Sequence, residues 1–240
     1  MAAGGISNNR VLDEAQTGEN WFLKGGRFDG QHYSPLAQVN DENISDLGLE
    51  WAADLPTLDG IATTPIVIDG VIYLSGAYSI VFAVDAKNGE ILWTYDPEVR
   101  KAFVDRPNLS WIARINRGVA VWGDSVYATT ADCRLIALDA ATGEMLWLFS
   151  PEPKPRPEGE RIRPLTGSGR GVSYWTDGDE ERIFHNVSDG RLLALDAKTG
   201  RPLEGWGEPL ALDDFSQTGV VDLVRQLLEG WGPWERWDEG

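Results

Sequence analysis

Three stretches of the chain repeat one alternation of apolar and polar positions: VFAVDAKNGEILW (81–93), LIALDAATGEMLW (135–147) and LLALDAKTG (192–200). In each, a run rich in β-branched and aliphatic residues reads as a strand. Asp85, Asp139 and Asp196 follow, and a carboxylate there accepts from backbone N–H groups two residues on, which starts a turn. Gly89, Gly143 and Gly200 supply the positive φ that such a turn needs. ILW and MLW then run back as antiparallel partners. The equivalent residues are spaced 54 and then 57 positions apart.

A second hairpin precedes each refrain. TPIVI and VIYLS flank Asp69-Gly70, GVAVW and SVYATT flank Gly123-Asp124, and GVSYW and RIFHNV flank the acidic turn 177–181. Asp-Gly between alternating runs is a strong short-range hairpin signal. Four short strands in units of about 50 residues define the blade of a β-propeller. The pattern predicts an all-β fold of four-stranded antiparallel blades, incomplete at about three, over residues 60–98, 115–150 and 168–207. Residues 1–19 then form an N-terminal extension, 20–210 the propeller segment, and 211–240 a tail. The third unit departs from the others, because Pro202 cannot donate to a ladder. Beyond it, GVVDLVRQLLEG (219–230) has apolar residues at helical spacing and predicts a short helix.

Composition adds one positive clue and several exclusions. Eleven tryptophans in 240 residues point to a repeated packing device, with Trp93 and Trp147 docking on neighbouring blades. The refrain therefore concerns folding, and its acidic residues are not catalytic. A net charge of −17 argues against nucleic acid and anionic membrane surfaces as partners. No apolar run approaches the roughly 20 residues that span a bilayer. The start, MAAGGISNN, reads as no export leader, so the expectation is a cytoplasmic chain or one whose leader has been removed or never included. Cys133 is the single cysteine, which excludes an internal disulfide and a thiolate zinc cluster; it reads as a small buried residue. His32 and His185 lack any metal-ligand spacing and read as structural.

The stretch NWFLKGGRFDGQHYSPLAQVNDENISDLGLEW (20–51) carries an Asn-Trp start, YSPL, the pair Asn40 and Asn43, and a closing Leu-x-Leu-x-Trp. It resembles the N-terminal signature of the PQQ-dependent quinoprotein alcohol dehydrogenases, with Gly26 off the usual pattern. The DA-x-TG-x-x-x-W refrain is similar to that family's tryptophan-docking motif, and RGVSYW…LLALDAKTGRP resembles its membrane-bound glucose and quinate branch. The resemblance covers residues 20–200. It implies a propeller of about eight blades that holds pyrroloquinoline quinone (PQQ) and Ca²⁺ near its axis, with an Asp base taking the alcohol proton as hydride passes to the quinone. Asn116-Arg117-Gly118 matches the family's Asn-Arg-Gly, so Arg117 is the expected quinone contact; a guanidinium pairs with carboxylates and favours negative charge on quinone oxygens. Thr166, in LTGS, resembles a threonine that donates to a cofactor carboxylate. Trp111, with Ile112, stands where the family carries adjacent cysteines, and is the expected stacking residue.

Departures weigh against a complete site. GIATTP places Ala62 where the family carries a glutamate, and no residue matches the calcium-ligating glutamate of the third unit. The family's catalytic Asp and remaining calcium ligand lie in later blades. The sequence therefore predicts the cofactor-facing segment of a periplasmic dehydrogenase for alcohols or sugars, inactive by itself, with open sheet edges able to pair with a partner. The alternative is a non-catalytic binding scaffold resembling the outer-membrane assembly lipoproteins; a remnant without activity is the third possibility.

Overall fold

The first three units of the sequence appear as three antiparallel sheets in the computed structural model, which describes residues 5–14, 16–57, 59–105, 110–153, 165–166, 172–188, 191–204 and 206. The chain divides into two units, 1–202 and 203–240, and every described strand and helix belongs to the first. The predicted helix at 219–230 and the tail lie outside the described residues.

The first sheet holds β1 (Ile66–Ile68), β2 (Val71–Ser75), β3 (Val81–Asp85) and β4 (Ile91–Tyr95), in that spatial order. The second repeats it with β5 (Ala120–Trp122), β6 (Ser125–Thr129), β7 (Leu135–Asp139) and β8 (Met145–Phe149). The third consists of β9 (Ser173–Thr176), β10 (Glu181–Asn186) and β11 (Leu192–Asp196). There Pro202 bridges Leu195, the position that Ile91 and Met145 take opposite Val84 and Leu138 in the other sheets. A proline can hold that place but cannot extend the ladder. Three short helices, α1 (Asn8–Glu14), α2 (Val99–Ala102) and α3 (Ser110–Ala113), complete the described elements with two single-turn 3₁₀ segments.

The turns form for the reasons read from the sequence. Asp85 Oδ1 accepts from the N–H of Lys87 at 2.7 Å, and Asp139 Oδ1 from those of Ala141 and Thr142 at 3.0 and 2.8 Å. Gly89, Gly143 and Gly200 have φ of 75°, 72° and 67°. These glycines also serve a second purpose. A tryptophan from the preceding unit lies flat on each: Trp51 on Gly89, Trp93 on Gly143, Trp147 on Gly200, so close that an added Cβ would come within 2.6, 2.6 and 2.4 Å of a ring carbon. Each indole Nε1–H donates to the carbonyl of the alanine after the turn aspartate: Ala86 at 3.1 Å, Ala140 at 3.1 Å and Ala197 at 3.0 Å. A bulge in the ladder lets the ring turn out of register, since Ala83 faces Trp93 while Val84 faces Ile91, and β7–β8 shifts likewise. The sequence predicted the docking of Trp93 and Trp147; Trp51 begins the same series.

Two apolar cores fill the spaces so defined. Ile68, Tyr73, Val81 and Ala83 of the first sheet pack against Val126, Ala128, Ile136 and Leu138 of the second. The opposite face of the second sheet gives Tyr127, Leu135 and Ala137 to Ile183 and Leu195 of the third. The second sheet is thus buried on both faces, as a middle blade must be. Val67 exchanges both backbone hydrogen bonds with Trp21, at 2.7 and 3.0 Å, which covers the free edge of β1. Cys133 is buried, as expected. His185 is buried too; its Nε2 lies 2.9 Å from the Cys133 carbonyl oxygen, and burial pushes its pKa below the usual histidine range.

The docking geometry makes Gly143→Ala a severe change. It adds a Cβ at positive φ and against the Trp93 ring, and should cost about 2–5 kcal/mol in urea unfolding. Gly123→Ala, at φ 56° but with nothing within 4 Å, is the control and should cost only about 1–2 kcal/mol. Equal losses for both would show that the indole contact contributes nothing.

Candidate functional site

The first strands of the three sheets converge on a cleft of about 500 Å³. Ile66 of β1, Val121 and Trp122 of β5, and Ser173 to Thr176 of β9 line it, with Phe22 and Phe28 of the N-terminal segment. Much of its lining is apolar, and Phe22, Ile66, Val121 and Ile183 are all buried. Two aromatic rings form one wall, Trp122 and Tyr174, with centroids 4.5 Å apart and planes 30° from parallel. Burial first, and then a hydrogen bond with Glu181, holds the Tyr174 phenol above the ordinary tyrosine range, so it stays neutral at pH 7.

Charge distinguishes this cleft from the rest of the surface. The chain carries 38 Asp and Glu against 21 Lys and Arg, yet among the described residues no carboxylate lines the cleft. Among the described residues Lys24 and Arg117 are its two cations, both exposed at the rim. An apolar slot with aromatic walls and two positive groups at its mouth suits a planar, anionic, aromatic molecule.

Arg117 is held there by its neighbours on either side. Its carbonyl accepts the Thr64 N–H at 3.2 Å, which ties the approach to β5 to the approach to β1. Gly118 permits this with φ 129°; a Cβ there would lie 3.0 Å from the Thr64 oxygen. Asn116 is 1% exposed and spends its whole amide on the structure. Its Oδ1 accepts from Ser75 Oγ at 2.8 Å and from the Gly118 N–H at 3.1 Å. Its Nδ2 donates to Ser79 Oγ at 3.0 Å and to the Thr129 carbonyl at 2.8 Å. Ser79 takes a left-handed backbone, φ 60°, to present that oxygen, a strain compensated by the network.

The other two expected residues lie elsewhere. Trp111 sits on α3 and is 60% exposed, and it does not line the cleft. The cause is Ala113, fully buried against Tyr78, Val99 and Phe103. Residues two apart on a helix point about 200° from one another, so burying Ala113 turns Trp111 outward. Thr166 donates its backbone N–H to Ser188 Oγ at 3.2 Å and does not line the cleft either. The sequence reading missed Lys24, Thr129 and the Trp122–Tyr174 wall. Strand alternation could have found part of them, because Tyr127 and Thr129 share the face of β6 opposite Val126 and Ala128.

The donor set answers differently for the two groups the family resemblance implies. PQQ, an aromatic o-quinone with three carboxylates, fits the apolar slot and its cationic rim. Calcium takes about six to eight oxygen ligands, usually with several carboxylates, and the described residues do not bring such a set together by themselves. Among the described residues no three of His, Cys, Asp and Glu gather, and Ala62, exposed, adds no oxygen from its side chain.

Fold and site together define a class, a β-propeller segment whose inner strands wall an anion-receptive cleft. Residues 21–126 and 120–231 match the family described as "PQQ: Glucose/ethanol/alcohol dehydrogenase, beta-propeller domain". The chain is 39% identical over 199 residues to the quinohemoprotein alcohol dehydrogenase ADH IIB of Pseudomonas putida, covering 83% of this chain and 28% of that protein. It is 41% identical over 239 residues to the quinohemoprotein alcohol dehydrogenase of Comamonas testosteroni, covering 98% of this chain and 32% of the relative. The crystal structure of the Comamonas testosteroni enzyme superposes with a TM-score of 0.66 at 33% identity, over 82% of this chain and 28% of that one. The protein belongs to the PQQ-type glucose/ethanol/alcohol dehydrogenase β-propeller family. It spans about a third of the length of these relatives.

Asn116→Ala should lower the unfolding free energy by about 2–4 kcal/mol, since it leaves Ser75, Ser79 and the Thr129 carbonyl short of partners. Thermal unfolding followed by tryptophan fluorescence checks this. A loss below about 0.5 kcal/mol would show that the network does not hold the approach to β5.

Proposed function

We propose that this chain is the cofactor-facing segment of a periplasmic quinoprotein dehydrogenase that oxidises alcohols or sugars. The observation that carries the reading is the cleft: largely apolar, aromatic-walled, without a carboxylate among its described lining residues, and rimmed by Arg117 and Lys24 on a protein of net charge −17. When bound there, PQQ supplies a two-electron acceptor for the hydride of the substrate's C–H bond. Arg117 does the electrostatic work of this chain. Its guanidinium, without an acidic partner among the described residues, pairs with anionic oxygens and favours negative charge as it develops on them. Lys24 adds a second, more mobile charge at the same rim.

The catalytic base and the metal ligands belong, in this reading, to later blades, and the 240 residues alone do not turn substrate over. A second reading, a propeller scaffold for protein binding, draws on the lack of a gathered acidic cluster among the described residues and on Ala62. The uneven placing of charge in the cleft favours the first.

Titration of the protein with PQQ and Ca²⁺, followed by tryptophan fluorescence, should show weak, saturable, salt-sensitive binding and no dye-linked alcohol oxidation. Arg117→Ala should weaken that binding roughly tenfold or more while the fold persists. Unchanged affinity in the variant would remove Arg117 from the site. Turnover by the chain alone would overturn the segment reading.

A further inference from the structure

Among the described residues, two buried side-chain polar atoms have no hydrogen-bond partner in the protein: His185 Nδ1 and Thr129 Oγ1. Of the two residues, only Thr129 lines the cleft. We propose that the Thr129 hydroxyl is a second, buried contact for the anionic cofactor, donating to one of its carboxylate or quinone oxygens. The proposal rests on the cofactor reading above and deepens it.

The geometry leads there in three steps. Thr129 closes β6, whose alternation places Tyr127 and Thr129 on one face; both line the cleft, while Val126 and Ala128 pack into the core against the first sheet. Thr129 is only 4% exposed, so bulk water does not serve its hydroxyl. The polar groups around it are already committed. Its own carbonyl accepts from Asn116 Nδ2, Ser75 Oγ donates to Asn116 Oδ1, and Thr130 Oγ1 bonds Asp132 and the Arg134 carbonyl. No group of the described chain is left to satisfy Oγ1.

A buried hydroxyl without a partner is costly, and valine has the same shape without that cost. The position therefore makes physical sense if the hydroxyl is satisfied by something that enters the cleft. Arg117 at the rim and Thr129 deeper in would grip a planar anion at two points, one a strong cation and the other a directional neutral donor. Asn116 links them, because it bonds both the Thr129 carbonyl and the N–H of Gly118, next to Arg117. The pair is thus held on one rigid hub.

The test compares wild type, Thr129→Val, Thr129→Ser and Arg117→Ala, all as the full 240-residue chain, in PQQ titrations followed by tryptophan fluorescence and in urea unfolding without cofactor. Thr129→Val should keep or gain stability and lose PQQ affinity roughly tenfold. Thr129→Ser, which keeps the hydroxyl, should stay within about threefold of wild type. Affinity in Thr129→Val equal to wild type, with Arg117→Ala still weakened, would overturn this inference and leave the cofactor reading standing; the hydroxyl would then be met by an ordered water. Destabilisation of unliganded Thr129→Val would overturn it too, by showing a partner inside the fold. No saturable binding to wild type would remove the cofactor reading and this inference together.

Discussion

An indole N–H given to an alanine carbonyl, with the ring lying on a glycine, is the interaction on which this molecule is built. It occurs three times, from Trp51, Trp93 and Trp147, and each time it crosses from one unit to the next. Two requirements meet at one residue. The turn needs a left-handed backbone, and the indole needs an absent Cβ, so only glycine serves. The contact fixes one sheet against its neighbour at the end of the strands remote from Arg117. It sets the spacing within which Tyr73, Val81 and Trp93 close on Ile136 and Leu138.

The site follows from that spacing at the opposite ends of the strands. With the sheets held at their turns, the approaches to β1 and β5 come close enough for Thr64 and Arg117 to share a backbone hydrogen bond. The polar groups trapped between them, Ser75, Ser79, Asn116 and the Thr129 carbonyl, satisfy one another. Such a network inside a low-dielectric interior is stiff, because losing any member leaves another unpaired. Its consequence is an arginine whose backbone is fixed while its guanidinium has no acidic partner among the described residues.

The hairpins were legible from the sequence because their chemistry is local. An aspartate that caps a turn and a glycine that needs positive φ must sit four residues apart, and the chain writes that spacing openly. Arg117 was legible only through the resemblance of Asn116-Arg117-Gly118 to a known motif, not through any periodicity. Trp51 ends a stretch that reads as a strand like ILW and MLW, but no aspartate–glycine refrain precedes it to mark it as a docking residue, and 47–51 forms no strand. The four-residue helices α2 and α3 are too short to leave an apolar period, and so the burial of Ala113 that sends Trp111 outward could not be foreseen. Thr129 looks like any threonine at the end of a strand. Only the accounting of its neighbours' hydrogen bonds, available in three dimensions, singles it out.

The central claim is that inner strands held by tryptophan docking present an anion site centred on Arg117. A crystal structure of the protein soaked with PQQ tests it most directly. The account predicts density for the tricyclic ligand between the Trp122–Tyr174 wall and the N-terminal segment, with its oxygens against the guanidinium of Arg117. Density confined to another surface, such as the exposed face of α3 at Trp111, or Arg117 turned away onto a carboxylate of its own chain, would contradict it.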